Sequence, residues 1–279
     1  MIRLDRVGLT TVQDAGRPGF AHLGVPLSGA TDRGAYQLAN RLAGNSPGAA
    51  VLETSGGLIF TALSDLNFVV TGADCVAHVD HRPLRQNSTI FLRRNQSVEV
   101  GYMRSGVRCY VAISGGLLGP QILCSQSHDV FSGIIPQALS DGLEINVGTD
   151  SGSMSSLDGI TTYQPLECVQ FDWGPHHDEL TSDAYKRLID ATWYVSAQSN
   201  RTSTQLSNRQ GFALVMGDLP SIPLVRGAMQ LAPDGQLIVM QADHPTSGGY
   251  LVIGVVLPTD LDRLSQLEVG ASLQVVPKR

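Results

Sequence analysis

The chain has 279 residues, enough to bury one large core or two smaller ones without support from disulfides or metals. Hydrophobic residues make up 42% of it and charged residues 16%, which excludes an intrinsically disordered chain. A net charge of -6 and the lack of any basic run argue against a protein that binds nucleic acid.

Short runs rich in Val, Ile, Phe and Thr recur between turns rich in Gly, Asn, Asp and Pro, and such runs are typical of β-strands. In the first half they cover residues 57–62, 66–71, 89–92 and 108–114. In the second half they cover residues 166–172, 212–216, 236–241, 250–256 and 272–276. Many short strands at this spacing predict a mainly β protein built as a barrel or a sandwich.

One stretch near the start keeps a clear helical period. Residues 31–42 place alanines and leucines on one face, Thr31 or Asp32 is available as the N-cap, and Gly44 suits a left-handed stop. A second helix is predicted over residues 181–192 from the same kind of pattern.

A third, shorter helix is expected after Pro258, with Thr259 as its cap. The stretch 148–159 is rich in Ser, Gly and Asp, so it is predicted to be a loop between two lobes, one over residues 1–155 and one over residues 160–279. No run approaches the roughly 20 apolar residues of a membrane span, and no secretory signal is recognisable. The sequence therefore predicts a cytoplasmic protein without membrane contact.

The four cysteines are far apart in the sequence: Cys75, Cys109, Cys124 and Cys168. Three of them lie in apolar, strand-like segments, which is typical of reduced, buried thiols and predicts neither disulfides nor a zinc site. His78 and His81 lie on one predicted strand but would face opposite ways, so no metal ligands are expected there.

A first polar segment, 11–19, places the side chains of Gln13, Asp14 and Arg17 between glycines, with Asp32 soon after. These groups are suited to holding a small polar ligand. The alternative is a network of turns in which Asp14 and Arg17 bond to backbone groups, and the residues alone leave both interpretations open.

A second polar segment, 243–250, places a carboxylate, an imidazole, two hydroxyls and the pair Gly248 and Gly249 between two apolar strands. Exposed amides at paired glycines form anion-binding nests, so this segment is the best candidate site on chemistry alone. The alternative is a tight corner between strands that needs glycine. Arg201 is either a two-point clamp for a carboxylate or an exposed turn residue.

The sequence contains no Walker A loop, no Gly-x-Gly-x-x-Gly motif, no Gly-x-Ser-x-Gly elbow and no biotinylation-type Met-Lys-Met. Any nucleotide or biotin must therefore come from another chain or bind in an unconventional way.

A long and specific string of motifs resembles one known family. It runs through TVQDAGRPG at 11–19, GVPLSGA at 24–30, Asp32, ANRL at 39–42, YVAISGG at 110–116, GAMQ at 227–230, DGQ at 234–236, Asp243, Thr246 and GGY at 248–250. By these residues the chain is similar, over almost its whole length, to the carboxyltransferase and allophanate-hydrolase-subunit-2-like family.

The resemblance implies two cyclophilin-like β-barrel lobes with two or three short helices. It also implies a companion subunit of the allophanate hydrolase subunit 1-like family, with an active site built between the two. Members of the family are known as the C-subunit of ATP-dependent 5-oxoprolinase, as parts of urea carboxylase and as antagonists of a kinase-inhibitor protein.

The chain departs from the family pattern in two arginine-containing segments. Residues 124–128 are CSQSH where the family typically has GSRST, so one arginine is lost. Residues 199–203 are SNRTS where it typically has SDRMG, and Gln205 stands where a further arginine precedes the leucine. An amide in place of a guanidinium lacks both its charge and its two-point fork.

The leading hypothesis is a hydrolase subunit of a 5-oxoprolinase-like complex, which opens 5-oxoproline to glutamate with ATP bound by the complex. Such a site must orient a small cyclic amide and neutralise developing charge. The expected catalytic residues are Asp243, Thr246 and Tyr250. The expected substrate-binding residues are Gln13, Asp14, Arg17, Asp32, Asn40, Arg201, Gln230, Gly248 and Gly249.

In this hypothesis the partners are the companion subunit, a third 5-oxoprolinase subunit and the small amide substrate. One alternative is a component of a biotin-dependent carboxyltransferase that receives biotin from another protein. The other is a non-catalytic regulatory subunit that binds a kinase-inhibitor-like partner, which the lost arginines favour.

Overall fold

The protein is described here from a computed structural model, and the structure describes residues 1–149, 166–208 and 219–278. These residues form two compact units. The predicted lobe boundary at 155–160 and the predicted strand at 212–216 lie outside the described residues.

The N-terminal unit comprises residues 1–17 and 28–149. The C-terminal unit comprises residues 18–27, 166–208 and 219–278. The segment 18–27, which lies within the predicted N-terminal lobe, therefore groups with residues that follow more than a hundred positions later in the chain.

Among the described residues of the N-terminal unit, ten strands form one curled sheet. In chain order they are β1 (Ile2–Arg6), β2 (Thr10–Gln13), β3 (Val51–Thr54), β4 (Leu58–Ala62), β5 (Leu66–Val79), β6 (Arg82–Pro83), β7 (Ile90–Leu92), β8 (Ser97–Ile113), β9 (Leu117–Leu118) and β10 (Glu144–Val147). The order across the sheet is β2-β3-β8-β4-β1-β10-β9, and β5 pairs with β6, β7 and β8.

The two longest strands, β5 and β8, extend well beyond the predicted segments 66–71 and 108–114. Those segments contain most of the long buried runs, whereas the rest of each strand alternates between buried and more exposed residues. Apolar runs therefore mark only one end of each strand, because half-buried strands carry polar residues at every second position.

Helix α1 (Arg33–Leu42) begins after Asp32, whose Oδ1 accepts a hydrogen bond from the N–H of Ala35 at 2.9 Å. This confirms the predicted helix and selects Asp32 as its cap. The buried face of the helix, which includes Tyr36 and Leu42, packs in a core cluster with Val51 of β3.

In the C-terminal unit, seven of the described strands close into a barrel in the order β11-β18-β15-β16-β13-β12-β19, and β14 pairs with β17 in a separate ribbon. They are β11 (Cys168–Trp173), β12 (Trp193–Val195), β13 (Ser203–Ser207), β14 (Ile222–Pro223), β15 (Ala228–Leu231), β16 (Leu237–Met240), β17 (Ser247–Gly248), β18 (Leu251–Val256) and β19 (Ser272–Pro277). The mainly β class is thereby confirmed.

Helices α2 (Ser182–Asp190) and α3 (Pro258–Leu264) complete the set of three α-helices in the described residues. Thr181 caps α2 through its side chain, with the N–H of Ala184 donating at 3.2 Å. The predicted Thr259 cap of α3 is wrong, because the N-cap position is Leu257 and Pro258 starts the helix. Proline suits that first position since its missing N–H would have no partner there.

Cys75, Cys109 and Cys168 lie in strands, as expected. Cys75 and Cys109 are buried, as expected, whereas Cys168 is only half-buried; Cys124, the cysteine outside these strands, is exposed. Within the described ranges, no helix is long and apolar enough to cross a membrane.

Candidate functional site

An ion pair lies just beyond one end of β16 in the C-terminal unit. The ladder between β16 and β13 continues past the strand ends, where the N–H of Asp243 donates to the carbonyl of Arg201 at 2.9 Å. This backbone pairing brings the two side chains together, and Nε and Nη2 of Arg201 each donate to one carboxylate oxygen of Asp243 at 2.8 Å. The side chain of Asp243 is 2% exposed and that of Arg201 is 14% exposed. Asp243, an expected catalytic residue, and Arg201, an expected substrate-binding residue, therefore bind each other.

Gln241 lies at the same end, on the inner side of the barrel. It continues the alternation of Leu237 and Val239, which both belong to the barrel core. Its Nε2 donates to Oγ1 of Thr204 at 2.9 Å, and its buried Oε1 has no hydrogen-bond partner among the described residues. Exchanging the amide oxygen and nitrogen would leave the nitrogen unsatisfied instead. Because an unsatisfied buried amide is costly, this end of the barrel is chemically suited to a polar ligand.

Gln230 lies on the outer face of the barrel. Its neighbours Met229 and Leu231 belong to the barrel core, so the side chain of Gln230 points the other way. Its Nε2 is 3.5 Å from the carbonyl oxygen of Tyr250, at the outer limit of a hydrogen bond, although the residue is only 3% exposed. The predicted substrate residues of this unit are thus divided between the end of the barrel and its outer face.

The two paired glycines have different environments. A Cβ at Gly248 would lie 2.7 Å from Nε2 of Gln230 and 2.8 Å from Cδ1 of Leu224, whereas the nearest atoms to a Cβ at Gly249 are 3.7 Å away. Neither glycine has the positive φ of the left-handed residue in an anion nest. A side chain at Gly248 would therefore displace the ends of the Gln230 and Leu224 side chains, while one at Gly249 would not.

Replacing Gly248 by alanine is expected to lower the free energy of unfolding by about 1 kcal/mol, the low end of the usual cost of an extra methyl group in a packed site, because the ends of the Gln230 and Leu224 side chains can move aside. The matched variant Gly249→Ala has room for its methyl group and is expected to change stability by less than about 0.5 kcal/mol. Urea unfolding of both variants measures the difference. Equal stabilities would contradict the close approach of Gly248 to Gln230.

Thr246 and Tyr250 lie at either end of the same ribbon segment. Thr246 is half-buried, and its carbonyl accepts the N–H of Leu224 at 2.9 Å. The side chain of Tyr250 is on the surface, with the residue 43% exposed. The predicted catalytic roles of both residues stay predictions.

His244 follows the ion pair and is only 6% exposed. Its Nδ1 lies 2.8 Å from the carbonyl oxygen of Pro245, so Nδ1 carries the hydrogen and the basic lone pair is on Nε2 in the neutral ring. Burial lowers the pKa of His244, the nearby charge of Arg226 lowers it further, and the Pro245 carbonyl and Asp243 act in the opposite direction. His244 is therefore neutral near pH 7.

A histidine whose folded pKa is lowered binds a proton more readily in the unfolded chain, so its protonation favours unfolding. The contribution of His244 to stability is expected to be complete above pH 6.5 and to be lost as the pH falls below it. Urea unfolding between pH 5 and 8 (roughly the range in which histidine titrates) tests this. His244→Gln should flatten the curve relative to the wild type, whereas changing the exposed His22 to Gln should not.

Asp14 is the centre of a buried network in the N-terminal unit. Its Oδ1 accepts three hydrogen bonds, from the N–H of Gly16 at 2.8 Å, from Oγ of Ser125 at 2.7 Å and from Oγ of Ser127. Its Oδ2 accepts one, from the N–H of Gln126 at 2.7 Å. Asp14 is 7% exposed. Its carboxylate thus fixes the segment that replaces the arginine-containing segment of the family, and this contact supports the turn-network interpretation.

Gln13 and Arg17 flank this network and are 0% and 1% exposed. Gln13 Nε2 donates to Thr11 Oγ1 and to the carbonyl of His128 at 3.0 Å each, and its Oε1 is buried with no partner within the described part of the chain. Arg17 donates from Nη2 to the carbonyl of Ser127. The first polar segment therefore packs as a unit against residues 125–128.

The side chains of Asp32 and Asn40 make structural contacts. Asp32 caps α1. Asn40 is 1% exposed, donates from Nδ2 to the carbonyl of Ala49 at 2.9 Å and accepts from Nδ2 of Asn45 at 2.9 Å. Both residues stabilise helix α1 and the loop that follows it. Their presence in the motifs that resemble the family therefore has a structural explanation.

Two polar groups at the end of the barrel were not among the predicted site residues, namely Gln241 and His244. Gln241 was detectable, because it stands two residues before Asp243 and alternate residues of a strand share a face. His244 was in the motif but had no distinguishing signal, since its burial depends on packing that the sequence does not reveal.

Comparison with known proteins gives the family. The model of the carboxyltransferase domain, subdomain A and B, matches residues 23–277. The chain belongs to the carboxyltransferase domain A/B family. This membership confirms the resemblance inferred from the motifs.

Three relatives of this family member are informative. The C-subunit of 5-oxoprolinase from Escherichia coli K12 is 30% identical over 99% of this chain and 91% of its own length. The crystal structure of TTHA0988 superposes with a TM-score of 0.89 at 27% identity, over 99% of this chain and 56% of that one. The urea amidolyase of K. lactis superposes with a TM-score of 0.88 at 25% identity, over 99% of this chain and 18% of that one.

The chain thus spans about half the length of TTHA0988 and less than a fifth of the urea amidolyase. The family-related region is therefore joined to other segments in those proteins. The relatives named here are thus subunits or regions of multi-subunit or multidomain proteins.

Proposed function

We propose that the chain is a subunit of an ATP-dependent, amide-opening complex of the 5-oxoprolinase type, and that the inner end of its C-terminal barrel recognises the lactam. The relative that is 30% identical over nearly the whole chain is named as the C-subunit of 5-oxoprolinase. The observation that supports the site most directly is the buried, unsatisfied amide of Gln241 beside the ion pair of Arg201 and Asp243.

The chemistry of 5-oxoproline suits this arrangement. Its ring N–H is a donor that matches the unsatisfied Oε1 of Gln241, and its carboxylate is attracted to the guanidinium of Arg201. In this proposal Asp243 positions Arg201 and does not act as a base, because both of its oxygens accept hydrogen bonds from the guanidinium.

His244 is the better proton acceptor, since its ring is neutral and its Nδ1–H is bonded to the Pro245 carbonyl, which leaves Nε2 as the basic nitrogen. Phosphorylation of the lactam oxygen by ATP weakens the amide resonance. The chain has no Walker A loop, so ATP is assigned to the partner subunits, namely the allophanate hydrolase subunit 1-like companion and a third 5-oxoprolinase subunit.

The test is reconstitution of the complex from co-expressed subunits, followed by a measurement of ATP-dependent glutamate release from 5-oxoproline. Release that requires this chain supports the proposal. A stable complex that binds but does not open 5-oxoproline would contradict it and favour the regulatory alternative, with a kinase-inhibitor-like partner.

In the active complex, Gln241→Leu is expected to lower kcat/KM for 5-oxoproline by about 10–100-fold, because one buried hydrogen bond to the substrate is lost. Gln274→Leu is the matched control, since Gln274 is exposed on β19 of the same barrel. Equal losses in both variants would exclude Gln241 as a substrate ligand.

A second candidate is a biotin-dependent carboxyltransferase component, favoured by the TM-score of 0.88 with K. lactis urea amidolyase. Urea is also a small amide with N–H donors, so the same Gln241 oxygen is suited to it. The chain lacks a biotinylation motif, and biotin would be delivered by another protein. Carboxylation of urea by the chain mixed with a carboxybiotin carrier would select this candidate over the first.

A further inference from the structure

A cavity of about 540 Å³ lies in the N-terminal unit and is lined by residues of β5, β6 and β7 and of the turns beside them. Most of its lining is apolar, namely Val79, Pro83, Leu84, Ile90 and Phe91. Small-molecule sites in proteins typically have volumes of about 300–1,000 Å³ and combine a mainly apolar wall with a few polar groups. The size and the lining of this cavity therefore suit a small organic ligand.

The polar part of the lining carries positive charge. Arg82 and Arg85 both line the cavity. They belong to the segment 81–98, which contains four arginines and no Asp or Glu, although the whole chain has a net charge of -6. A guanidinium group binds a carboxylate or a phosphate through two parallel hydrogen bonds. The polar part of the cavity is therefore suited to an anion.

Asp80, the one carboxylate among the lining residues, has a structural role. Its Oδ1 accepts the N–H of Ser97 at 2.9 Å, and its Oδ2 accepts Nε2 of Gln96 at 2.8 Å. Asp80 and His81 form the two-residue turn between β5 and β6, with φ values of 45° and 66°. Residues other than glycine keep such a backbone only where other contacts hold them. The hydrogen bonds of Asp80 therefore fix this turn and, directly after it, Arg82.

We propose that this cavity binds a small aromatic anion, with its carboxylate or phosphate head on Arg82 and Arg85 and its ring on the apolar wall beside Phe91. Phe91 is 56% exposed, so its ring is available to a ligand. Aromatic rings attract one another in offset and edge-to-face arrangements, and a guanidinium plane also stacks on them. The binding is non-covalent. The proposed lactam site belongs to the C-terminal unit, so this inference does not depend on it.

The test titrates the purified full-length chain with anilinonaphthalene sulfonate, a fluorescent aromatic anion, and one bound equivalent is expected. The double variant Arg82→Gln/Arg85→Gln should weaken binding at least about tenfold, because two charge-assisted contacts are lost. Phe91→Ala should weaken it about threefold or more. The matched control is Arg41→Gln/Arg104→Gln, which removes two exposed arginines of the same unit that do not line the cavity. It should bind within about twofold of the wild type at physiological salt, where distant charges are screened.

Displacement of the probe then distinguishes the two heads. Phenyl phosphate and phenylacetate carry the same ring, and the one that displaces the probe at the lower concentration identifies the preferred head. Benzyl alcohol, which has the ring without the charge, should displace it at least about tenfold less well than the better anion. Equal displacement by all three compounds would overturn the proposal. So would unchanged binding in Arg82→Gln/Arg85→Gln, or an equal loss in the control variant.

Discussion

Replacing Asp243 by asparagine is expected to lower the free energy of unfolding of the C-terminal unit by about 3–5 kcal/mol, the usual effect of removing one partner of a buried ion pair. Asparagine keeps the shape of the side chain but removes its charge. The guanidinium of Arg201, 14% exposed and bonded at 2.8 Å to both carboxylate oxygens, then loses its counter-charge. Urea unfolding followed by the fluorescence of the buried Trp193, which lies in the same unit, measures the loss.

A double variant separates the structural role of this pair from a functional one. Replacing both partners of a buried ion pair by apolar residues is often neutral, so Arg201→Met/Asp243→Leu should be more stable than Asp243→Asn. If the pair also positions substrate, the double variant should be folded but inactive in the reconstituted complex. A stable double variant with wild-type activity would remove Arg201 and Asp243 from the site.

Replacing Asp14 by alanine is expected to destabilise the N-terminal unit by about 3–5 kcal/mol, because several donors to one buried carboxylate lose their acceptor together. Those donors include the hydroxyls of Ser125 and Ser127 and the N–H of Gln126. The segment around these residues should therefore detach first. Hydrogen exchange followed by mass spectrometry should show faster exchange in the peptide over residues 122–134 than in strands β5 and β8.

Glu99→Ala is the matched control for Asp14→Ala. Glu99 is an acidic residue of the same unit, its side chain is 44% exposed, and it forms a long ion pair of 3.5 Å with Arg6. An exposed pair of this kind contributes at most about 1 kcal/mol. If Asp14→Ala were no more destabilising than Glu99→Ala, the network at Asp14 would not hold the segment in place.

Local patterns predicted much of the fold. Helix α1 was predictable because its cap, its apolar face and its glycine stop all lie within about four turns of chain. The turn between β15 and β16 also has a local signal, since it contains Asp234 and Gly235 and Gly235 has a positive φ. The cap of α3 was missed because Pro258 at the first helical position fixes where that helix starts, ahead of the polar Thr259.

Local sequence patterns could not predict the contacts of the candidate site. Asp243 and Arg201 are 42 residues apart, and Asp14 is 111 residues from Ser125, so neither pairing follows from nearby sequence. Both arginines of interest, Arg17 and Arg201, were assigned to substrate because their partners were invisible in the sequence. Motif similarity identified the family, but the register of the strands decides which side chains meet.

The grouping of residues 18–27 with the C-terminal unit has a consequence for synthesis of the protein. These residues emerge from the ribosome early, yet the rest of their unit begins only after the N-terminal unit has been made. The C-terminal unit therefore cannot finish folding until almost the whole chain is available. For the same reason, dividing the chain between residues 149 and 166 would place residues 18–27 on a different fragment from the rest of their unit. The two fragments would therefore need to be co-expressed for the C-terminal unit to be complete.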